Sequence, residues 1–180
     1  MTLLTITEAL AEIKTTQARI AKKRDGVHQY LARQDGLRDP LEKSGGSYAF
    51  IQAELQSVAD LEARIVTLRG AIARKNHEVT IGISGISKSM ADWLTWRREI
   101  MPNREAFYAK QRANLASIRQ QATQKGMAIV GPGQAPSALT DLIVNLDEKQ
   151  LAEEIEKLET IKGQLDGQLS LKNATVTLEV

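Results

Sequence analysis

Apolar residues recur at alternating steps of four and three along most of this chain. That spacing leaves little choice but long helices packed side by side. Over residues 5–34 it predicts a seam of Ile6, Leu10, Ile13, Gln17, Ile20, Arg24, Val27 and Leu31. Thr5 and Glu8 stand as a T-x-x-E capping box at its start. The loop 36–47 carries Gly36, Pro40, Gly45 and Gly46, and a second helix follows to about His77 on Ile51, Leu55, Val58, Leu61, Ile65, Leu68 and Ile72. Two such helices joined by a short loop make an antiparallel hairpin. A hairpin cannot cover both flanks of its own seam, so a further helix or another chain must do so.

Residues 80–87, T-I-G-I-S-G-I-S, interrupt the pattern as a loop or a short extended piece. Ser87 or Ser89 then caps a third helix to about residue 124, with Met90, Leu94, Arg97, Met101, Arg104, Tyr108, Gln111, Leu115 and Ile118 on its seam. Pro102 should kink or split it, and Gly126 is its stop. Two short β-like runs, 128–130 and 142–146, flank a Gly/Pro turn. Asp147 and Gln150 open a fourth helix to about Leu171, and the tail A-T-V-T-L-E-V reads as a strand expected to pair with 142–146. The expected fold is mainly α: a long antiparallel helical hairpin, a kinked third helix and a fourth helix in a coiled-coil-like bundle, with a small β element near the C-terminus. The expected division is 1–126 and 127–180 within one continuous structural unit.

Composition narrows the chemistry. There is no cysteine, so no disulfide, thiolate nucleophile or sulfur-ligated zinc. His28 and His77, the two histidines, fall on different helices, and no H-E-x-x-H, G-x-S-x-G or Walker loop occurs. Gly131-Pro132-Gly133 reads as a turn, since the proline removes a donor from any phosphate nest. No catalytic residue, cofactor or metal ligand is expected. No basic, apolar leader and no run of about 20 apolar residues appears, so the expected setting is the cytosol, a host cytosol if the chain is phage-encoded.

A net charge of +2 hides strong local imbalance. Residues 14–38 carry seven basic and two acidic side chains, residues 88–125 eight and three, and residues 141–180 four basic and nine acidic. Such segments pair with one another or stand solvated. Arg24, Arg97 and Arg104 fall on predicted seams, where a buried guanidinium needs an anion. Glu12, Glu62, a fourth-helix Glu or a bound phosphate would serve. Trp93 and Trp96, beside Arg97 and Arg98, share a helix face and suit either a subunit interface or stacking on a base. A specific nucleic-acid complex is not expected at so small a net charge.

Several stretches resemble the septicolysin-like family of small helical bacterial and phage proteins. T-I-T-E-A-L-A-E-I-K-T-T-Q-A-R-I is similar to that family's E-A-L and Q-x-R-I first helix. A-R-I-V-T-L-R-G-A-I-A-R-K-N-H-E-V-T resembles its R-I-N-x-T-N segment, with Asn76 at the final Asn and Thr80 following. Gly85–Arg98 resembles its G-x-S/T-L-x-x-A-L-x-x-R-D step, matching Arg97 or Arg98 to the arginine. The ending L-D-G-Q-L-S-L-K-N-A-T-V-T-L-E-V matches at Asp166, Asn173, Thr175 and Glu179, but has Ala174 or Val176 where the family has tryptophan. The resemblance implies a mainly helical homo-oligomer, a hexamer. The family's name implies a toxin, which no membrane-inserting segment here supports.

Two functions are therefore expected in turn. The first is a non-catalytic homo-oligomeric interaction or assembly protein, with Trp93, Trp96, Met101 and Tyr108 between chains. The alternative is a sponge-like protein that sequesters a small anionic nucleotide between subunits, using Arg24, Asn76, Thr80, Trp93, Trp96, Arg97, Arg98 and Arg104. No membrane partner is expected.

Overall fold

The computed structural model describes residues 3–136, 138 and 141–180. Its fold is mainly α, with short strands between and beside the helices. The elements are β1 (Leu3–Thr5), α1 (Ile6–Gln29), α2 (Gly46–Glu78), β2 (Thr80–Ile83), β3 (Ile86–Ser89), α3 (Met90–Thr95), α4 (Met101–Gln124), β4 (Ile129–Val130), β5 (Leu142–Ile143), α5 (Glu148–Thr175) and β6 (Thr177–Glu179). A 3₁₀ turn, Glu42–Ser44, precedes α2, and a π-helical turn, Trp96–Ile100, joins α3 to α4. Contacts divide the chain differently from the boundary at 126. One unit runs up to Val79 and takes in Ser170–Val180, and the other is Thr80–Leu169.

In the first unit Thr5 caps α1 through a complete capping box. Its hydroxyl accepts from Glu8 N–H, and the Glu8 carboxylate accepts from Thr5 N–H at 2.7 Å. The Thr5 N–H above all, and then the Thr5 hydroxyl donating to the same carboxylate at 2.9 Å, hold the Glu8 carboxyl below its ordinary value. The α1–α2 seam differs from the predicted one in a regular way. Ile6, Ile13, Ile20 and Val27 are buried as the spacing predicts. The intervening layer is Ala9, Thr16 and Lys23, one residue earlier than Leu10, Gln17 and Arg24. Small Ala9, Thr16, Ser47 and Ala71 let the two backbones approach, while the larger side chains stand on the flank. Arg64 pairs with Glu12 at 2.8 Å on one flank, and Lys23 with Glu54 at 3.0 Å.

α1 ends at Gln29 and not near residue 34. The loop that follows is organised by Asp39. Its carboxylate accepts from Leu41 N–H at 2.8 Å and from the N–H and hydroxyl of Ser47 at 2.8 and 2.7 Å, which anchors the first turn of α2. The Ser47 hydroxyl above all holds this carboxyl below its ordinary range. A depressed native value means that the contribution is complete at neutral pH and fades as pH falls through that value. The stability gap between the parent and Asp39→Asn, measured by urea unfolding at neutral pH and below about pH 4, should therefore shrink on acidification. A gap unchanged with pH would refute the role.

Gly26 lies inside α1, and a methyl built on it meets the Phe50 ring at 3.6 Å, an ordinary contact. Gly26→Ala should therefore stabilise the protein by about 1 kcal/mol through helix propensity. A lower melting temperature would show the space to be tighter than that.

The tail's partner is not 142–146. β6 pairs antiparallel with β1, Leu3 opposite Glu179 and Thr5 opposite Thr177. Ile6 N–H also donates to Val176 O at 3.1 Å. β5 instead runs parallel to β4, Ile129 opposite Leu142. The expected Gly/Pro turn between these two lies partly outside the described residues.

In the second unit the segment after α2 is a regular hairpin. β2 and β3 pair antiparallel around Ser84 and Gly85, whose φ of 48° and 80° match a tight two-residue turn. It encloses Ile81 and Ile83. Ser89 caps α3, accepting from Asp92 N–H at 3.1 Å. The interruption expected at Pro102 is present as the wider π turn just before it. Met101 N–H donates to Trp96 O, five residues back. Proline lacks a donor and crowds the carbonyl four residues earlier, so widening the preceding turn lets the helix continue. α4 stops at Gly126, φ 64°, where Met127 N–H reaches Ala122 O at 2.9 Å.

α5 starts as the sequence indicates. The Asp147 carboxylate accepts from Lys149 N–H at 2.9 Å and Gln150 N–H at 3.2 Å. Leu151, Leu158, Leu165 and Leu169 are buried along it.

Candidate functional site

The tryptophan–arginine segment occupies the end of α3 and the π turn. Trp93 is 2% exposed, and its Nε1–H donates to Ile81 O at 3.0 Å. Trp96 packs edge-on against it at 5.6 Å, and the Lys88 ammonium lies 5.3 Å from the Trp93 ring centre. The pair is thus a fastening between α3 and the β2–β3 hairpin. Trp93 and Met101, expected between chains, are enclosed within their own chain, because each points from the helix toward the unit's core. Trp96 and Tyr108 are half-buried. Ile100 and Phe107 are exposed nearby and carry the apolar surface of this region.

The arginines do not sit in the core either. Arg97 pairs with Asp166 at 2.9 Å, both about half exposed. Arg98 pairs with its neighbour Glu99 at 2.7 Å. Arg104 is exposed and makes no hydrogen bond or ion pair among the described residues. Arg24, in the first unit, pairs with Glu62 at 2.6 Å. The π turn and the displaced α1 register turn these side chains outward, which removes the burial that would demand a bound anion. Asn76 lies near the end of α2 with its Oδ1 buried and unpartnered, while exposed Thr80 opens β2. The eight residues of the nucleotide reading are therefore split, Arg24 and Asn76 in one unit and the other six in the second.

The second unit also contains what the sequence did not single out. Three ion pairs cross between the helices: Arg97–Asp166, Glu105–Lys162 at 2.8 Å and Arg119–Glu148 at 2.5 Å. Their order makes α4 and α5 antiparallel. The sequence signal for these pairs is the basic balance of 88–125 against the acidic balance of 141–180. Among the described residues no helix is long and apolar enough to cross a membrane, and no cluster of three or more His, Asp or Glu could hold a metal ion.

No family model matches the chain, and no curated protein does. Over 99% of its length it is similar to all of a crystal structure of "a functionally unknown conserved protein from Corynebacterium diphtheriae", with a TM-score of 0.56 and 16% identity. The fold is shared. At that identity the likeness extends to the fold alone.

Proposed function

We propose that this chain is a non-catalytic, homo-oligomeric helical assembly protein. One observation carries the reading: large apolar side chains stand exposed along the α1–α2 hairpin among the described residues. Leu10 and Leu31 on α1 and beyond its end, and Tyr48 and Leu55 on α2, are 46–78% exposed. Arg24 stands two heptads after Leu10 and pairs with Glu62, one heptad after Leu55, so Leu10, Tyr48 and Leu55 share the flank that this pair spans. Exposed apolar residues at the edge of a helical seam are where coiled-coil-like proteins recruit further helices. A closed assembly larger than a dimer with dihedral symmetry, such as a hexamer, needs two different contact surfaces. The exposed Ile100–Phe107 region is a further apolar surface on the chain.

The sponge-like alternative has less behind it, since Arg24 and Arg97 are already engaged by Glu62 and Asp166. Native mass spectrometry of protein purified from cells reads assembly and retained ligand together. The expected result is a multimer, with a hexamer as the form the family resemblance implies, and no added nucleotide mass. A monomer at micromolar concentration would overturn the assembly reading, and a bound nucleotide would restore the alternative.

A further inference from the structure

The α4–α5 hairpin carries a groove of about 560 Å³ that its own ion pairs leave open. The floor is apolar, formed by Leu115, Leu151 and Ile155, and Ala116 and Ala152 keep it low. The walls are of opposite sign. Arg112 and Arg119 line it from α4, and Glu148, Glu156 and Glu159 from α5. Arg119 and Glu148 satisfy each other at one end. Arg112 and Glu156 make no hydrogen bond or ion pair among the described residues, and Glu159 only feels the Lys162 ammonium three residues on, without a direct pair. The pairs Glu105–Lys162 and Arg119–Glu148 fix the levels of the two helices. Arg112 lies midway between Glu105 and Arg119, and so stands level with Ile155, beside Glu156.

We propose that this groove receives the same hairpin of a second copy, about a two-fold axis running along it, so that Arg112 of each copy faces Glu156 and Glu159 of the other. The inference rests on the homo-oligomer reading and names one of its interfaces. Charge selects both the occupant and the axis. α4 has four basic and one acidic side chains, whereas α5 has six acidic and four basic. An axis along the groove lays each α4 over the other copy's α5, keeps the levels of the helices, and makes every neighbour antiparallel. An axis across the groove would lay α4 on α4 and set like charges together, which such contacts resist strongly.

Charge reversal tests this without touching the buried core. Arg112→Glu alone, and Glu156→Arg with Glu159→Arg, should each raise the dissociation constant of this contact by roughly 100-fold, since every copy then meets like charge. Circular dichroism should show both variants folded. Mixed one to one, the two variants regain complementarity in both halves of the two-fold contact, so association should return, as hetero-dimers, in analytical ultracentrifugation. If the parent assembles and the reversed variants assemble equally well, or if mixing restores nothing, the proposed interface is wrong while the assembly reading stands. If the parent is a monomer, both fall.

Discussion

Trp93→Ala should destabilise the second unit by about 3–5 kcal/mol, the range for emptying an enclosed aromatic site. Three separate interactions are lost at once. The indole is 2% exposed among Ile81, Ile83 and Met90, themselves enclosed. Its Nε1–H satisfies the Ile81 carbonyl, which would be left without that partner. Its ring also supports the edge-on contact of Trp96 and the Lys88 ammonium. Trp93→Phe keeps most of the apolar volume but not the donor, and should cost about 1–2 kcal/mol. Trp96→Ala should cost less than Trp93→Ala, because that ring is only half-buried. Urea unfolding followed by circular dichroism measures the series, with hydrogen exchange assigning the loss to Thr80–Leu169 in case the two units melt apart. Equal, small costs at both tryptophans would refute the enclosed role and reopen the platform reading.

Leu178→Ala should be the other large loss, about 2–4 kcal/mol, although only Glu179 and Val180 follow it in this sequence. Its side chain is 0% exposed, and its strand pairs with β1 through Leu4. The neighbouring residues depend on that anchor. Val176 O accepts from Ile6 N–H, and Thr177 faces Thr5, the residue that caps α1. Losing the anchor therefore loosens the start of α1 as well. Leu171→Ala, at a site 55% exposed on α5, should stay within about 0.5 kcal/mol of the parent. If the two leucine variants unfold at the same urea concentration, the tail is decoration and not core.

The helices were legible in the sequence because their apolar spacing is long and their caps are local. Thr5, Ser89, Asp147 and Gly126 all act within a few residues of their targets. The fine register was not legible. A pattern of apolar residues favours Leu10 over Ala9 and Leu55 over Glu54, yet close packing selects the small residue, and the Lys23–Glu54 pair occupies the remaining layer. That single offset moved Arg24 from the predicted core to the surface. The strand partners were hidden for a different reason. Three-residue strands carry almost no signal, and β1 meets β6 only because the intervening chain brings them together. For the candidate site, helical spacing puts Trp93 and Trp96 side by side, but the direction they face is not legible, since Trp96 opens a π turn that changes which face a residue takes. The oppositely charged groove walls were visible only as segment charges until two ion pairs fixed the helix levels.

The β1–β6 pair closes residues 3–179 into one loop of chain. Leu3 lies opposite Glu179, so these two residues stand at the same edge of one two-stranded ribbon. Force applied at Leu3 and Glu179 would peel this ribbon one bond at a time, beginning with that outermost pair. Conversely, a short peptide joining residues 3 and 179 would complete the circle, and the chain could then be opened in the exposed loop between α1 and α2 without cutting either helix.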